Sequence, residues 1–331
     1  MIIYRDDQPP LLSDYGIEVP MLKGRAEKIK EEIEKNYGPD FIYQLKTPVL
    51  SDKDFQAVHS KAFLNRCHDV PEEVIQETFE LVNPDGSFHR YNPQNARKPL
   101  SDLVPLFKKS CGDSYLCLTE AFKNGFAYYL GGGYHHALSS RGRGFCLFND
   151  IMIAARKFQT EVKQGKLWVI DIDAHKGCGT AEISQNDPEI STLSIHMGNG
   201  WPLDSEKLDI NGNLNPWFIP STVDIDLPEN SENFYLDRLK TGLSALETKS
   251  PAPIACIVVD GSDPYDGDAL PSANLLKLSR ETCLERNLLV YNFLKSRNIP
   301  QAYLMSGGYG DKNWIIHYQF ISYVLNQFKK V

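Results

Sequence analysis

The clearest hydrophobic pattern in the chain is Leu167-Trp168-Val169-Ile170, an uninterrupted apolar run with β-branched members and no turn former. Such a run predicts a strand buried on both faces, as in a parallel sheet, rather than a half-exposed strand of alternating polarity. From residue 115 onward, runs of this kind alternate with stretches of helical period. The pattern predicts a helix over 115–124 and a strand over 127–130. Asn149 or Asp150 then caps a helix whose apolar positions Ile151, Ile153, Ala154, Ala155 and Phe158 cover more than one face. Further strands are expected at 167–170, 192–196, 254–260 and 302–305, and helices at 234–246, 275–295 and 314–328. Strands alternating with helices imply an α/β fold on a mostly parallel, doubly wound central sheet.

The first hundred residues are less regular. Pro9-Pro10 marks a turn, and the charge-dense stretch 23–35 reads as a solvent-facing helix with few apolar anchors. Asp52-Lys53-Asp54 can cap a helix running through 57–64, with His59 on it as a structural histidine. Residues 82–99 carry turn formers at nearly every other position and read as a long loop. There is no internal repeat and no flexible linker, so one domain over residues 1–331 is expected.

Composition narrows the classes. A formal charge of −8 argues against a nucleic-acid-binding surface spread over the whole domain. Seven scattered cysteines without a CxxC pair read as reduced thiols of a cytoplasmic protein rather than a disulfide framework. The opening Met-Ile-Ile-Tyr-Arg-Asp-Asp does not look like a signal peptide. No stretch approaches the roughly 20 apolar residues that span a bilayer.

The chemistry collects at strand ends. Four predicted strands finish in glycines accompanied by His, Asp or Tyr: Gly131-Gly132-Gly133-Tyr134-His135-His136, Asp171-Ile172-Asp173-Ala174-His175 followed by Gly177 and Gly179, Gly261-Ser262-Asp263 and Ser306-Gly307-Gly308-Tyr309. In open α/β sheets, sites form outside the carboxyl ends of strands, so one pocket accounts for the repetition. Asp173, His175 and Asp263 offer two carboxylates and an imidazole, a set suited to a catalytic zinc with an open position. His135 and His136 can serve as general base and acid near neutral pH, and Tyr309 can donate to the oxyanion of a tetrahedral intermediate. Each motif alone is weak, but together they describe metal-assisted hydrolysis of an amide.

These motifs, with Gly144-Phe145-Cys146-Leu147-Phe148-Asn149-Asp150, Ser194-Ile195-His196 and Gly267-Asp268, resemble the zinc-dependent histone deacetylases and their bacterial deacetylase-like relatives. They occur in that family's order over about residues 57–310, and Asp-Ala-His with Ser-Gly-Gly-Tyr looks most like its class IV branch. The resemblance implies a single-domain arginase/deacetylase fold with helices on both faces of the sheet. It implies zinc on Asp173, His175 and Asp263, a catalytic pair His135 and His136, Asp171 as partner of His135, and Tyr309 polarising the scissile carbonyl. It further implies a substrate tunnel with Phe145 as one wall, Trp201 opposite and the Gly144 carbonyl meeting the substrate amide. A monovalent cation such as K⁺ would use Asp171, Asp173, His175, Ser194 and the carbonyl of Ile195. The substrate would be an acyl-lysine peptide or protein, or a small acylated amine such as an acetylpolyamine. The alternative of another class is a weakly active or inactive acyl-lysine-binding protein that has kept the fold. A binuclear arginase-like site is disfavoured, because the carboxylate it needs two residues after the histidine is Gly177 here.

One departure stands out. Many relatives read His-His-Gly-Asp-Gly where this chain reads His175-Lys176-Gly177-Cys178-Gly179. Cys178 thus occupies the position of the aspartate that usually pairs with the second histidine, here His136. A thiol supplies no fixed charge, so His136 is expected to be less readily protonated, with activity or pH optimum altered.

Overall fold

The strands predicted from apolar runs assemble with three shorter or more polar ones into a single eight-stranded sheet. The computed structural model describes residues 1–5, 11–20, 24–43 and 46–328. Its strands are β1 (Ile2–Ile3), β2 (Ile42–Tyr43), β3 (Phe126–Tyr129), β4 (Leu167–Asp171), β5 (Ile190–Met197), β6 (Val223–Leu227), β7 (Ala255–Val259) and β8 (Gln301–Leu304). All neighbouring pairs are parallel, in the order β2-β1-β3-β8-β7-β4-β5-β6. That order sets β3, β8, β7 and β4 side by side, and these are the four strands whose ends carry the glycine-flanked His, Asp and Tyr motifs.

The helices are α1 (Arg25–Tyr37), α2 (Asp52–Gln56), α3 (Lys61–Asp69), α4 (Pro71–Phe79), α5 (Leu103–Asn124), α6 (Asp150–Glu161), α7 (Cys178–Ser184), α8 (Tyr235–Lys249), α9 (Arg280–Lys295) and α10 (Asn313–Phe328). Because side chains alternate along a strand, each strand feeds two cores. Trp168 and Ile170 of β4 join Val258 and Tyr303 beneath α1, α8, α9 and α10. Leu167 and Val169 join Ile257 and Leu304 beneath α3, α4, α5 and α6. Covered on both faces, β4 and β7 are buried at every position, which is why they read as continuous apolar runs.

Several expectations need correction. The charge-dense stretch is helical but not merely solvent-facing: α1 buries Arg25, Ala26, Ile29 and Ile33. The helix expected across 52–64 is broken in two. Ser51 and Asp54 form a capping box on α2, and Ser60 caps α3. His59 lies in the break, buried, with Nδ1 3.0 Å from the Leu138 carbonyl and Nε2 accepting the Asn149 N–H at 3.0 Å. The helix expected from 275 begins at Arg280, where Ser279 accepts the Thr282 N–H. The segment before it contains a 3₁₀ turn, Pro271–Ala273, at the mouth of the site. Helix α5 starts well before the expected 115. The expected turn at Pro9-Pro10 and Lys23 itself lie outside the described residues. Among the described residues, no helix is long and apolar enough to cross a membrane.

Candidate active site

Each strand end delivers its side chains for a local reason. After β3 the chain turns through Gly132 and Gly133, both at positive φ (73° and 79°). A Cβ on Gly133 would stand 2.7 Å from the Cβ of Ser306, so β3 and β8 approach this closely only with glycine there. Asp150 fixes the turn by accepting the Gly133 N–H at 2.9 Å and the Tyr134 N–H at 2.6 Å. His135 and His136 are thereby aimed inward, their ring centroids 3.9 Å apart. At the end of β4, Asp171 meets Nδ1 of His135 at 2.6 Å. Beyond it, His175 presents Nδ1 to Asp263 at 2.8 Å and to Asp173 at 3.3 Å. Asp263 arrives from β7, and its second oxygen accepts the Ala174 N–H at 3.0 Å.

Asp173, His175 and Asp263 are all buried, with candidate ligand atoms within 4.8 Å of one another. A buried cluster of two carboxylates and one imidazole around a common point is the donor set that a divalent cation neutralises, and it fits zinc. Lys176, the next residue, does not fill that role, because its ammonium pairs with Asp224 on β6. Ser194 lies in register with Asp171 across β4 and β5, with its hydroxyl 3.0 Å from Nδ1 of His196. The side chain of Ile195 is in the core, so this residue could meet a cation through its backbone alone.

The two adjacent histidines are driven apart electrically. Burial disfavours charge on His135, but the carboxylates of Asp171 and Asp173 outweigh it and raise the group to about 9. Burial lowers His136 well below the usual histidine value, and His135 and His175 push it further the same way. Asp173 opposes that fall, but the partner at the His136 Nδ1 is not a carboxylate. This nitrogen faces the Sγ of Cys178 at 3.5 Å, and burial pushes that thiol up to about 11. Tyr309 is likewise held far above the ordinary tyrosine range, by burial first and then by Asp263 and Asp173, so its phenol keeps its proton.

A cavity of about 420 Å³ leads to this cluster, lined by His136, Gly144, Phe145, His175, Trp201 and Tyr309, with Glu80, Arg90, Asp204 and Ser272 also in its walls. A smaller one of about 70 Å³ lies against Gly133, Asp173, Asp263 and Ser306. Trp201 sits edge-on to His136 with centroids 4.5 Å apart, and Phe145 lies 6.1 Å from Tyr309. Gly144, at φ 54°, tolerates no side chain: a Cβ would fall 2.3 Å from the Trp201 ring. Its carbonyl accepts from the Cys146 thiol at 3.3 Å, a contact that uses one of its two lone pairs.

Sequence reasoning missed the residues that hold this arrangement in place. Arg25 donates to the carbonyls of Ser306, Gly307 and Gly308 at 2.7–3.0 Å, clamping the loop that carries Tyr309. Asp268, quoted above only as part of a motif, accepts the Tyr309 N–H at 2.8 Å. Arg286 donates to the carbonyls of Ile172 and Gly261, at 2.9 Å each, behind the turns that carry Asp173 and Asp263.

A parallel eight-stranded α/β sheet with a His-, Asp- and Tyr-lined cavity at the carboxyl ends of its central strands defines the arginase/deacetylase class of fold. Within that class, the family model for the histone deacetylase domain matches residues 19–321, and the chain belongs to the histone deacetylase family. It is 30% identical over 256 residues to histone deacetylase 2 of Arabidopsis thaliana, covering 77% of this chain and 60% of the relative. To type-1 histone deacetylase 1 of Dictyostelium discoideum it is 26% identical, covering 90% of this chain and 57% of the relative. To human histone deacetylase 1 it is 27% identical, covering 70% of this chain and 48% of the relative. The chain thus spans about half to three-fifths of the length of the curated relatives it matches. Among solved structures, the crystal structure of the HDA15 HD domain superposes with a TM-score of 0.67 at 16% identity, covering 98% of this chain and 89% of that one, a likeness of fold.

Proposed function

We propose that this chain is a zinc-dependent deacylase that hydrolyses the amide of Nε-acyl-lysine, with residues 1–331 forming one catalytic domain of class IV-like character. The observation that carries the reading is the convergence, at the end of one cavity, of a buried Asp173–His175–Asp263 cluster, the His135–Asp171 pair, a neutral His136 and a protonated Tyr309. Zinc held by Asp173, His175 and Asp263 would polarise the carbonyl and lower the pKa of attacking water. A monovalent cation near Asp171, Asp173, His175, Ser194 and Ile195 would belong to the same reading.

The residues divide the remaining work. The aliphatic stem of the lysine lies between Phe145 and the Trp201 side of the cavity, and the Gly144 carbonyl can accept the substrate N–H. His136, neutral and with Nδ1 turned to Cys178, takes a proton from water at Nε2 and returns it to the departing lysine amine. Charged His135, oriented by Asp171, stabilises negative charge developing on the substrate, and the Tyr309 hydroxyl donates to the oxyanion. All seven cysteines are free and buried, which supports a reducing, cytoplasmic setting.

The test compares hydrolysis of peptides carrying acetyl through long fatty-acyl lysine with hydrolysis of acetylated polyamines, using His136→Ala as the control. Turnover of acyl-lysine peptides, lost in the variant, is expected. Turnover of the polyamines alone would move the substrate to small acylated amines, and bound peptide without turnover would leave a binding protein.

A further inference from the structure

The chain between Asp263 and Tyr309 brings to the cavity a group outside all the motifs above. After Asp268 it bends through Leu270 into the 3₁₀ turn Pro271–Ala273. The bend is held by the Leu270 N–H donating to Asp268 at 2.7 Å and the Ala273 N–H donating to the Leu270 carbonyl at 3.0 Å. The same segment is tied to the Tyr309 backbone, because the Ala269 N–H donates to the Tyr309 carbonyl at 3.0 Å. The turn sets Ser272 in the cavity wall, with Oγ 3.3 Å from Nε2 of His175.

The two nitrogens of His175 therefore have separate surroundings. Nδ1 faces the carboxylates of Asp263 and Asp173, the side on which a cation would sit. Nε2 faces a hydroxyl. A metal-ligating imidazole is neutral and carries its proton on the nitrogen away from the metal, and an acceptor for that N–H fixes both tautomer and ring orientation. Trp201 lies edge-on to the same ring with centroids 5.5 Å apart, but an indole N–H donates and cannot accept this proton.

We propose that Ser272 is a positioning residue of the metal centre, whose hydroxyl accepts the Nε2–H of His175 and holds Nδ1 toward the cation. This rests on the zinc reading given above. Removing the acceptor frees the ring to turn and weakens metal affinity without changing any ligand. Losses of about 10–100-fold are usual when the outer partner of a metal-bound histidine is removed.

Zinc affinity is measured by competition with a chromophoric chelator for the full chain and for Ser272→Ala, Ser272→Val and Ser272→Thr. Thr and Val have nearly the same shape and differ in the hydroxyl. Melting of the metal-free proteins accompanies the titrations, and equal melting temperatures are expected because Ser272 is only part-buried. Kd for zinc should rise about tenfold in the Ala and Val variants and stay within about twofold in Thr. Equal affinities in all four proteins would overturn the proposal. An equal loss in Thr would overturn it too, since the hydroxyl would then not be the operative group. A wild-type chain that binds no zinc would instead overturn the metal reading itself, and this inference with it.

Discussion

His136 and Cys178 form a contact in which a thiol, not a carboxylate, faces the imidazole. An aspartate against Nδ1 would favour the charged imidazole by Coulomb attraction, whereas a thiol pushed up to about 11 is neutral throughout the working range. The 3.5 Å contact between Cys178 and His136 therefore leaves burial and the neighbouring His135 and His175 to depress the His136 pKa. The sign follows. A base with a depressed pKa stays available at lower pH, so the acidic limb of kcat/KM in the native protein lies below 6.5, the usual histidine value. Cys178→Asp raises the His136 pKa and moves that limb to higher pH. Superimposable pH profiles for the two proteins would contradict this account of the pair.

At the scale of elements, the junction of α2 and α3 links the site to stability. His59 fills the break between the two helices and accepts the backbone N–H of Asn149, the residue that caps α6 and holds the Ala137 carbonyl through its side-chain amide at 3.1 Å. Burial lowers His59 to about 4, against 6.5 for an exposed histidine. Between those values the unfolded chain binds the extra proton, so stability is fully present above about pH 6.5 and falls as pH drops toward 4, by about 3 kcal/mol at the limit. Urea midpoints at pH 7 and pH 5 should differ accordingly, and His59→Gln should flatten that part of the dependence. A dependence unchanged by the substitution would show that His59 is not its source.

Across the whole molecule, what could be read in advance was what is local in sequence. The strands and their carboxyl-end motifs were legible because β3, β4, β7 and β8 are buried on both faces and each ends in residues of distinct chemistry. That these four lie side by side is a property of the sheet order. The supports were not legible. Arg25 hides in a stretch whose charge reads as solvent exposure, although Ala26, Ile29 and Ile33 mark the buried side of the helix. Strand β6, Val-Asp-Ile-Asp-Leu, alternates as a partly exposed edge strand does and carries no motif. Ser272 lies in an irregular segment whose path depends on Asp268 and Tyr309, contacts no local pattern encodes.

The central claim is that the Asp173–His175–Asp263 cluster holds one zinc and that this zinc is required for deacylation. It is tested most directly by stripping the protein with a chelator and adding back zinc while following hydrolysis of an acetyl-lysine peptide. Activity should vanish on stripping, return in proportion to added zinc and level off at one equivalent per chain, with Asp263→Asn failing to recover. Hydrolysis that survives complete removal of metal, or a stoichiometrically zinc-loaded protein that turns over no acyl-lysine or acylated amine, would contradict it.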